Sequence, residues 1–333
     1  MNIGIIGAGL IGLKRAEAVN RLKDCKLHSV ADIDIEKAKG ITEKYGGLST
    51  NNWRKIALST DINFVIICTQ HDVAVEIAIE SLKNGKDVLC EKPLGRNAKE
   101  AKEIIDVAKQ AGQKIMVGFN YRFYPHVKRA KELIKAGYIG EPQYVKAALG
   151  HAARPNYDKE WRVDPEKGGG GALLDPGVHI VDLARYLMDE ELQKGSVQFQ
   201  NAYWEIMYED NAFVTSRTAK GKSVILHSSI TEWKNIFSIE IIGTDGYLKL
   251  SGRGGFYGQP QISMNKRWAW INGEDDAGEI VENFSSDDNS FYEELKCFVD
   301  ESGHPIHKNA TGADGLATAH FIDYLYSTRN FIK

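Results

Sequence analysis

The chain has 333 residues, of which 43% are hydrophobic and 26% charged, so it is long enough for two domains and has the composition of a soluble globular protein. Its formal net charge is −3, with both signs mixed along the chain, and no basic block indicates a nucleic-acid partner. Because no apolar run approaches the ~20 residues that cross a bilayer and the first predicted strand begins at residue 2, we expect no membrane segment, no signal peptide and a cytoplasmic protein.

The first predicted elements are a strand that begins at residue 2 and contains the apolar residues Ile3, Ile5 and Ile6, a glycine-rich turn and a helix. The turn reads GAGLIG, which has the spacing of a dinucleotide-binding fingerprint. In such a turn Gly7 makes the tight bend and Gly9 lets the pyrophosphate approach the backbone. Gly12 lets the helix pack closely on the strand. The helix start, with Leu10 and Ile11, would present free N–H groups and a positive dipole end to the phosphates.

The second predicted strand, residues 26–31, ends at Asp32. A carboxylate roughly 20 residues beyond the glycines accepts hydrogen bonds from the adenosine ribose, which argues against the alternative of a glycine-rich turn without a ligand. Asp32 would repel a 2′-phosphate, and residues 33–35 contain no arginine to hold one. The sequence therefore predicts that the cofactor is NAD, with NADP less favoured.

Strands and helices alternate up to about residue 120. Helices are predicted over residues 35–46, 51–58, 73–84 and 98–110, and strands over residues 62–69, 87–90 and 115–118. The continuous apolar run at 62–69 is typical of a buried parallel strand. This α/β pattern predicts a doubly wound parallel sheet, which would be an NAD-binding Rossmann domain over residues 1–121.

The pattern changes in the second part of the chain. Helices are predicted over residues 125–136, 176–188, 290–300 and 315–327, a strand over 142–150, and several strands between 197 and 250. Turn residues at 220–221 and 244–246 predict two hairpins. We expect an α+β domain over residues 122–333 that binds substrate and carries an open, mostly antiparallel sheet. One face of that sheet would form the interface of a homodimer or homotetramer.

The first candidate for chemistry is Glu91-Lys92-Pro93, because ligands of an open α/β sheet lie off the carboxyl ends of its strands. Proline confines Lys92 to an extended backbone, so the amine would project over the cleft beside the nicotinamide. A lysine there can hold the substrate hydroxyl and stabilise the alkoxide that forms as hydride leaves. The alternative is an ordinary exposed lysine at a strand end.

A second candidate is the segment Asp175-Pro176-Gly177-Val178-His179. Pro176 at the first helical position would make Asp175 a helix N-cap, so a purely structural role for Asp175 stays open. His179 would lie in the first helical turn, where the helix dipole disfavours imidazolium and a neutral ring can accept a proton. The two residues would share a helix face, with the carboxylate orienting the ring. A buried structural histidine is the competing interpretation.

Further candidates flank the predicted cleft. Arginine offers a planar fork of donors and tryptophan can stack on a sugar ring, so Arg162 and Trp161 are candidates for substrate binding. Packing and surface charge explain both equally well. The remaining candidates at the cleft rim are Asn120, Tyr121, Arg122 and His151. The four cysteines are scattered, without metal-ligand spacing to histidines, so no metal site is predicted.

Together these motifs resemble the family named after glucose–fructose oxidoreductase, inositol dehydrogenase and the rhizopine-catabolism protein MocA. The resemblance covers nearly the whole chain and is carried by GAGLIG, Asp32, Glu91-Lys92-Pro93, GFNYRF at residues 118–123, GGGALLDPGVH at 169–179 and GTDG at 243–246. It implies a Rossmann domain followed by an α+β domain, and dehydrogenation of a sugar, polyol or nucleotide sugar with NAD or NADP. The stretch at 148–179 looks most like members from surface-polysaccharide gene sets, which favours a sugar or nucleotide sugar over free inositol.

The resemblance also implies roles for individual residues. The family's lysine, aspartate and histidine correspond to Lys92, Asp175 and His179. We assign Lys92 to hold the reacting oxygen and His179 to accept the proton. Asp175 is the group that orients the ring. Family members differ on whether lysine or histidine is the principal base. Cofactor contacts beyond the fingerprint are expected at Thr69, Gln70, Glu91, Lys92 and Asn120. Many relatives carry proline and histidine where this chain has Gln70 and Ala74, so this side of the site departs from the family pattern.

Two other functions are compatible with the sequence. A glycosidase of the same family would oxidise a sugar transiently, eliminate the aglycone and re-reduce the product, with no net redox change. A non-catalytic regulator would bind the dinucleotide without turnover, and the joint presence of Lys92, Asp175 and His179 would then be accidental.

Overall fold

The computed structural model describes residues 1–267, 278–299 and 309–328. The strands are β1 (Asn2–Ile6), β2 (Lys26–Ala31), β3 (Leu48–Thr50), β4 (Phe64–Ile67), β5 (Asp87–Glu91), β6 (Ile115–Gly118), β7 (Pro142–Gly150), β8 (Ser196–Gln200), β9 (Asn211–Arg217), β10 (Ser223–Ser229), β11 (Ile236–Gly243), β12 (Gly246–Ser251), β13 (Gln261–Lys266), β14 (Ile280–Asn283) and β15 (Ala310–Thr311). The helices are α1 (Leu10–Arg21), α2 (Ile35–Tyr45), α3 (Arg54–Ala57), α4 (His71–Lys83), α5 (Ala98–Ala111), α6 (Pro125–Lys135), α7 (Gly177–Met188), α8 (Ser290–Val299) and α9 (Gly312–Ser327). Within the described ranges, no helix combines the length and apolar character that a bilayer crossing requires.

The first sheet has the strand order β15-β6-β5-β4-β1-β2-β3. Strands β1 to β6 pair in parallel, and β15 is added antiparallel at the edge beside β6. All four residues of β4 are buried, as expected for a strand that is covered on both faces. The strand order reverses between β1 and β4, which places a ligand crevice at their carboxyl ends. The predicted doubly wound Rossmann fold is confirmed.

The second sheet has the strand order β14-β13-β12-β11-β7-β10-β9-β8. Among the described strands of this sheet, β7 and β10 pair in parallel and the other neighbours pair antiparallel. The two predicted hairpins are confirmed, since they join β9 to β10 and β11 to β12. Helix α7 packs on β7 and β10, and α6 packs on β12 and β13. The prediction of an open, mostly antiparallel sheet is therefore confirmed.

Some elements differ from the predicted ones. Four strands were not predicted, namely β3, β13, β14 and β15. Strands β3 and β15 have only three and two residues, which carry no periodic pattern, and β14 lies at an exposed edge of the second sheet. Helix α3 covers only half of the predicted segment 51–58. Helix α4 begins at His71 rather than residue 73, since the backbone becomes helical directly after the extended Gln70. The predicted helix end at Asp300 lies outside the described residues.

The last two helices of the chain return to the first sheet. Helix α8 packs on α1, and α9 packs on α5 and β6. The guanidinium of Arg15 in α1 is fully buried, with Nε 2.8 Å from Glu91 Oε1 and Nη1 2.6 Å from Glu294 Oε2 in α8. The predicted domain boundary between residues 121 and 122 stays a prediction. Helices α8 and α9 follow the second sheet in sequence but pack with the Rossmann sheet, so a single boundary does not separate the two parts.

Arg122 forms a buried junction between the two parts of the molecule. Its Nε donates to Asp182 Oδ2 in α7 at 2.8 Å, and its Nη2 donates to Asp314 Oδ1 in α9 at 3.0 Å. Burial raises the pKa of the Asp182 carboxyl, and the Arg122 guanidinium opposes this shift. The prediction that Arg122 lies at the cleft rim is wrong, because carboxylates from two later helices hold its guanidinium inside the protein.

We expect Arg122→Met to lower the free energy of unfolding in urea by about 3 kcal/mol, because breaking a buried ion pair leaves Asp182 with an inadequate partner. The nearest remaining cation is Arg185, whose Nη1 lies 3.8 Å from Asp182 Oδ1. The matched control is Arg54→Met, which removes the exposed pair with Glu76 and should cost at most about 1 kcal/mol. Equal losses in the two variants would contradict a structural role for the Arg122 pair.

Candidate active site

A cleft of about 420 Å³ lies at the carboxyl ends of the first sheet's parallel strands. One side is lined by residues that follow β1, β4, β5 and β6, and the other by residues from the loops after β7 and β12 and from the start of α7. The cleft therefore occupies the position that the strand order of a doubly wound sheet predicts for a ligand.

The three glycines of the turn before α1 have different environments. Gly7 has φ +100°, and a Cβ there would lie 2.5 Å from the Cys68 carbonyl oxygen. A Cβ at Gly12 would lie 2.0 Å from the Gly7 carbonyl oxygen, so close packing of helix and strand requires both glycines. A Cβ at Gly9 would meet no atom of the described residues within 4 Å. The open space at Gly9 is what close approach of a pyrophosphate requires.

The start of α1 and the end of β2 complete the cofactor side. Gly9 caps α1 without a side chain, and no acidic residue occupies the first turn of this fully described helix, so its N–H groups suit an anion. Asp32 Oδ2 accepts a hydrogen bond from the Ala8 N–H at 2.7 Å, and Oδ1 accepts one from the Asp34 N–H at 2.9 Å. These bonds fix the carboxylate against the turn and leave lone pairs for ribose hydroxyls. The residues therefore fit a bound NAD.

Lys92 and Asp175 meet across the cleft. Lys92 follows β5 and is joined to Pro93 by a cis peptide bond. Its Nζ donates to Asp175 Oδ1 at 2.7 Å and to the Asp175 carbonyl oxygen at 2.9 Å. Burial alone would raise the pKa of Asp175, but Lys92 and then Arg162 outweigh it and hold that pKa below its usual range. Asp175 does not cap α7, whose first residue is Gly177 and whose N-cap position is Pro176.

His179 lies in the first turn of α7, with its imidazole stacked on the Tyr121 ring at a centroid distance of 3.8 Å. Burial, assisted by the cations Lys92 and Arg253, lowers the pKa of His179 well below its usual value. Its Nδ1 is buried and has no hydrogen-bond partner among the described residues. Asp175 is thus hydrogen-bonded to Lys92 rather than to the His179 ring. The group that this carboxylate can orient is therefore the lysine ammonium, and not the imidazole as predicted.

Residues of the loop between β7 and α7 contact the second carboxylate oxygen of Asp175. The Tyr157 hydroxyl lies 3.3 Å from Asp175 Oδ2, and Arg162 Nε lies 3.6 Å from the same oxygen. Trp161 packs edge-on against His71, whose Nδ1 lies 2.9 Å from the Gly168 carbonyl oxygen. Burial lowers the pKa of His71 to about 4. Asp175 thus accepts hydrogen bonds from Lys92 and Tyr157 and lies within ion-pair distance of Arg162.

The structure brings most of the predicted site residues to this cleft. Those that line it are Leu10, Ile11, Thr69, Glu91, Lys92, Asn120, Tyr121, His151, Trp161, Arg162, Asp175 and His179. The glycines and Asp32 belong to the adjoining turn and strand end. Gln70 occupies the N-cap position of α4 and, like Arg122, is not among the lining residues.

The cleft also contains residues that the sequence analysis did not single out. They are Lys14, Cys68, His71, Tyr124, Arg154, Tyr157, Arg253, Asp288 and Phe291. Lys14 follows Leu10 by one helical turn, so helical periodicity could have found it. Cys68 and His71 flank Thr69-Gln70, Tyr124 follows the GFNYRF segment, and Arg154 and Tyr157 lie in the stretch at 148–179, so positions next to the motifs could have found them. Arg253, Asp288 and Phe291 come from separate loops and helices, and no local pattern in the sequence connects them.

This fold and cleft define a class, the NAD-binding oxidoreductases. Residues 1–119 match the model described as "Oxidoreductase family, NAD-binding Rossmann fold", and residues 127–249 match the "GFO/IDH/MocA C-terminal domain". The chain belongs to the GFO/IDH/MocA family of oxidoreductases, which confirms the resemblance described from its sequence, together with NAD as the cofactor and dehydrogenation at a CH–OH group.

Individual relatives agree with this membership. The chain is 32% identical over 233 residues to the inositol 2-dehydrogenase of Rhizobium meliloti, an alignment that covers 69% of this chain and 68% of the relative. It is 34% identical over 201 residues to the levoglucosan dehydrogenase of Pseudarthrobacter phenanthrenivorans, which covers 57% and 52% of the two chains. A solved levoglucosan dehydrogenase in complex with NADH and levoglucosan superposes with a TM-score of 0.84 at 24% identity, covering 98% of this chain and 96% of the other.

We expect Asp32→Ala to weaken NADH binding and to relax discrimination against NADPH, because the variant loses both the ribose acceptor and the charge that repels a 2′-phosphate. Dissociation constants for both cofactors, measured by titration of their fluorescence, test this. Asp34→Ala is the control, since Asp34 caps α2 by accepting from the Glu36 N–H. An unchanged preference in Asp32→Ala would mean that the ribose is read elsewhere.

Proposed function

We propose that this protein oxidises a secondary alcohol of a sugar, polyol or nucleotide sugar, with Lys92, Asp175 and His179 as its catalytic residues. The observation that carries the proposal is the Lys92–Asp175 ion pair, which lies in the cleft beside a buried neutral imidazole. The relatives named inositol 2-dehydrogenase and levoglucosan dehydrogenase support a polyol or sugar substrate.

The lysine is suited to hold the reacting oxygen. An ammonium group has three donors, and two of those on Lys92 are directed at the carboxylate and carbonyl oxygens of Asp175. The third is left for the substrate hydroxyl, whose developing negative charge the ammonium stabilises. Asp175 keeps the ammonium in place and stays ionised under the influence of Lys92 and Arg162. NAD, when bound, supplies the acceptor for the hydride.

His179 is suited to accept the hydroxyl proton. Burial disfavours its charged form, so the imidazole is neutral and ready to act as a base at neutral pH. Stacking on Tyr121 fixes the plane of the ring. Once protonated, the imidazolium lies near the Asp175 carboxylate, whose charge favours that form.

The two alternative functions make different predictions. The comparisons support hydride transfer and give no support to a glycosidase; hydrolysis of an aryl glycoside without NADH accumulation would restore that alternative. A non-catalytic regulator would bind NADH without converting any alcohol. The convergence of three chemically suited side chains on one cleft favours an enzyme over a regulator.

The proposal includes a homodimer or homotetramer formed through the second sheet. Large apolar side chains lie exposed on neighbouring strands of that sheet, Phe213 in β9 and Ile225 in β10, with 41% and 45% of their surface accessible. Phe213 also stacks on the His227 ring of β10. A second copy of the chain would remove these apolar side chains from water.

The proposed function is tested by incubating the protein with NAD and a panel of sugars, polyols, sugar phosphates and nucleotide sugars while NADH absorbance is recorded. Formation of NADH with at least one secondary alcohol supports the proposal. NADH binding without turnover of any member of the panel would favour the regulator.

We expect Lys92→Ala to abolish turnover while NADH affinity stays within about threefold, because the ammonium group contacts Asp175 and the reacting oxygen. The loss in kcat should be at least about 10²–10³, which is the usual cost of removing one electrostatic stabiliser. Lys102→Ala is the matched control, since Lys102 pairs with Asp106 on the exposed side of α5, away from the cleft and from the second sheet. Equal loss of turnover and of NADH affinity in Lys92→Ala would indicate that Lys92 has a structural role.

The pH dependence of alcohol oxidation identifies the base. Because burial lowers the pKa of His179, the neutral ring persists below pH 6.5, and we expect kcat/KM to stay level between pH 6.5 and 8 and to fall only at lower pH. His179→Gln should lower kcat by about 10²–10⁴ and remove this acid limb. A rate that instead rises steadily between pH 6.5 and 8, or an acid limb that survives in His179→Gln, would contradict His179 as the base.

A further inference from the structure

Each lysine and arginine that lines the cleft has a carboxylate partner, with one exception among the described residues. Lys14 Nζ lies 2.8 Å from Asp288 Oδ2, and Lys92 pairs with Asp175. Arg154 and Arg162 both contact Glu160, through Nη2 at 2.7 Å and Nη1 at 3.1 Å. For Arg253, no carboxylate of the described residues lies within the 4.0 Å of an ion pair.

The surroundings of Arg253 are aromatic. Its guanidinium carbon lies 3.6 Å from the ring centroid of Tyr257 and 5.2 Å from that of Tyr121, and its Nη1 donates to the Tyr124 hydroxyl at 3.3 Å. Cation–π contacts offset part of the cost of removing the guanidinium from water, but they do not satisfy its N–H groups. Nε is buried and has no hydrogen-bond partner among the described residues.

The backbone around Arg253 is also specifically shaped. Gly252 has φ +70°, and a Cβ there would lie 2.1 Å from the Gln259 carbonyl oxygen. Gly254 has φ +87°, and a Cβ there would lie 2.5 Å from the Ser286 carbonyl oxygen. Glycines on both sides therefore allow the loop after β12 to direct this arginine into the cleft.

Tyr121 connects Arg253 to the chemistry. Its ring stacks on the His179 imidazole at 3.8 Å and also contacts the Arg253 guanidinium. A group held by Arg253 would therefore lie close to the alcohol that His179 deprotonates, within one small substrate. A planar fork of donors, partly buried and without a counter-ion, is suited to a carboxylate or a phosphoryl group.

We propose that Arg253 binds an oxyanion of the substrate, so that the preferred substrate is an acidic sugar that carries a carboxylate or a phosphoryl ester. This inference rests on the proposed function and narrows its substrate class. Arg253 is a specificity-determining residue in this scheme, because it contacts a part of the substrate that does not react.

The test compares three probes with the same ring, glucose, glucuronate and glucose 6-phosphate, by calorimetric titration of the NADH-loaded protein. We expect at least one acidic probe to bind about 10- to 100-fold more tightly than glucose, the range of a charge-assisted hydrogen bond. Glucuronate and glucose 6-phosphate distinguish a carboxylate from a phosphoryl group as the recognised anion.

Variants then assign this preference to the arginine. Arg253→Met should remove the advantage of the acidic probe and leave glucose binding unchanged, whereas Arg253→Lys, which keeps the charge, should retain part of it. Arg129→Met is the matched control, since Arg129 lies in α6 and pairs with Glu282 outside the cleft. Melting temperatures and NADH affinity of each variant check that the protein is folded.

Three results would overturn the inference. The first is equal binding of the three probes, including no binding of any, and the second is an acidic-probe advantage that survives in Arg253→Met. The third is a loss of NADH affinity in Arg253→Met while the preference for the acidic probe stays intact. This result would indicate that Arg253 binds the pyrophosphate of the cofactor. Because these are binding measurements, they stay separate from the NADH-formation assay, whose failure would overturn the proposed function.

Discussion

The ion pair between Lys92 and Asp175 is the constraint on which the cleft depends. Lys92 directly follows a strand of the first sheet, and Asp175 precedes a helix that packs on the second. Both side chains are more than four-fifths buried, so either charge alone would carry a large desolvation cost. The pair therefore fixes the separation of the two sheets at this point, and the position of His179, one helical turn further on, follows from it.

The same ammonium group also favours opposite ionisation states in two nearby residues. It stabilises the charged form of Asp175, and it adds to the burial that keeps His179 uncharged. The pKa values of Asp175 and His179 are both lowered, which leaves one group charged and the other neutral, and Lys92 contributes to both shifts beside burial and the nearby arginines. This difference in ionisation state is the usual mark of groups with different tasks in proton transfer.

Most of the fold could be predicted from the sequence, because it is encoded in local patterns. Alternating apolar runs, the glycine spacing and the hairpin turns gave both sheets, whereas the two-residue β15 and the exposed β14 carry no such pattern. The motif residues of the site were found in the same way. The sequence could not reveal that Arg122 turns inward to Asp182 or that Asp175 bonds Lys92 rather than His179, since those partners are set by packing between distant elements. Arg253 was missed for the same reason.

The return of α8 to the first sheet has a consequence for how the protein matures on the ribosome. Arg15 precedes the second sheet in the chain, but its partner Glu294 emerges only after the described strands of that sheet have been translated. Until then a guanidinium destined for the interior lacks one of its two carboxylates and the helix that covers it. The nucleotide-binding half therefore completes its core only after the second sheet has been translated, although most of that half precedes the sheet in the chain.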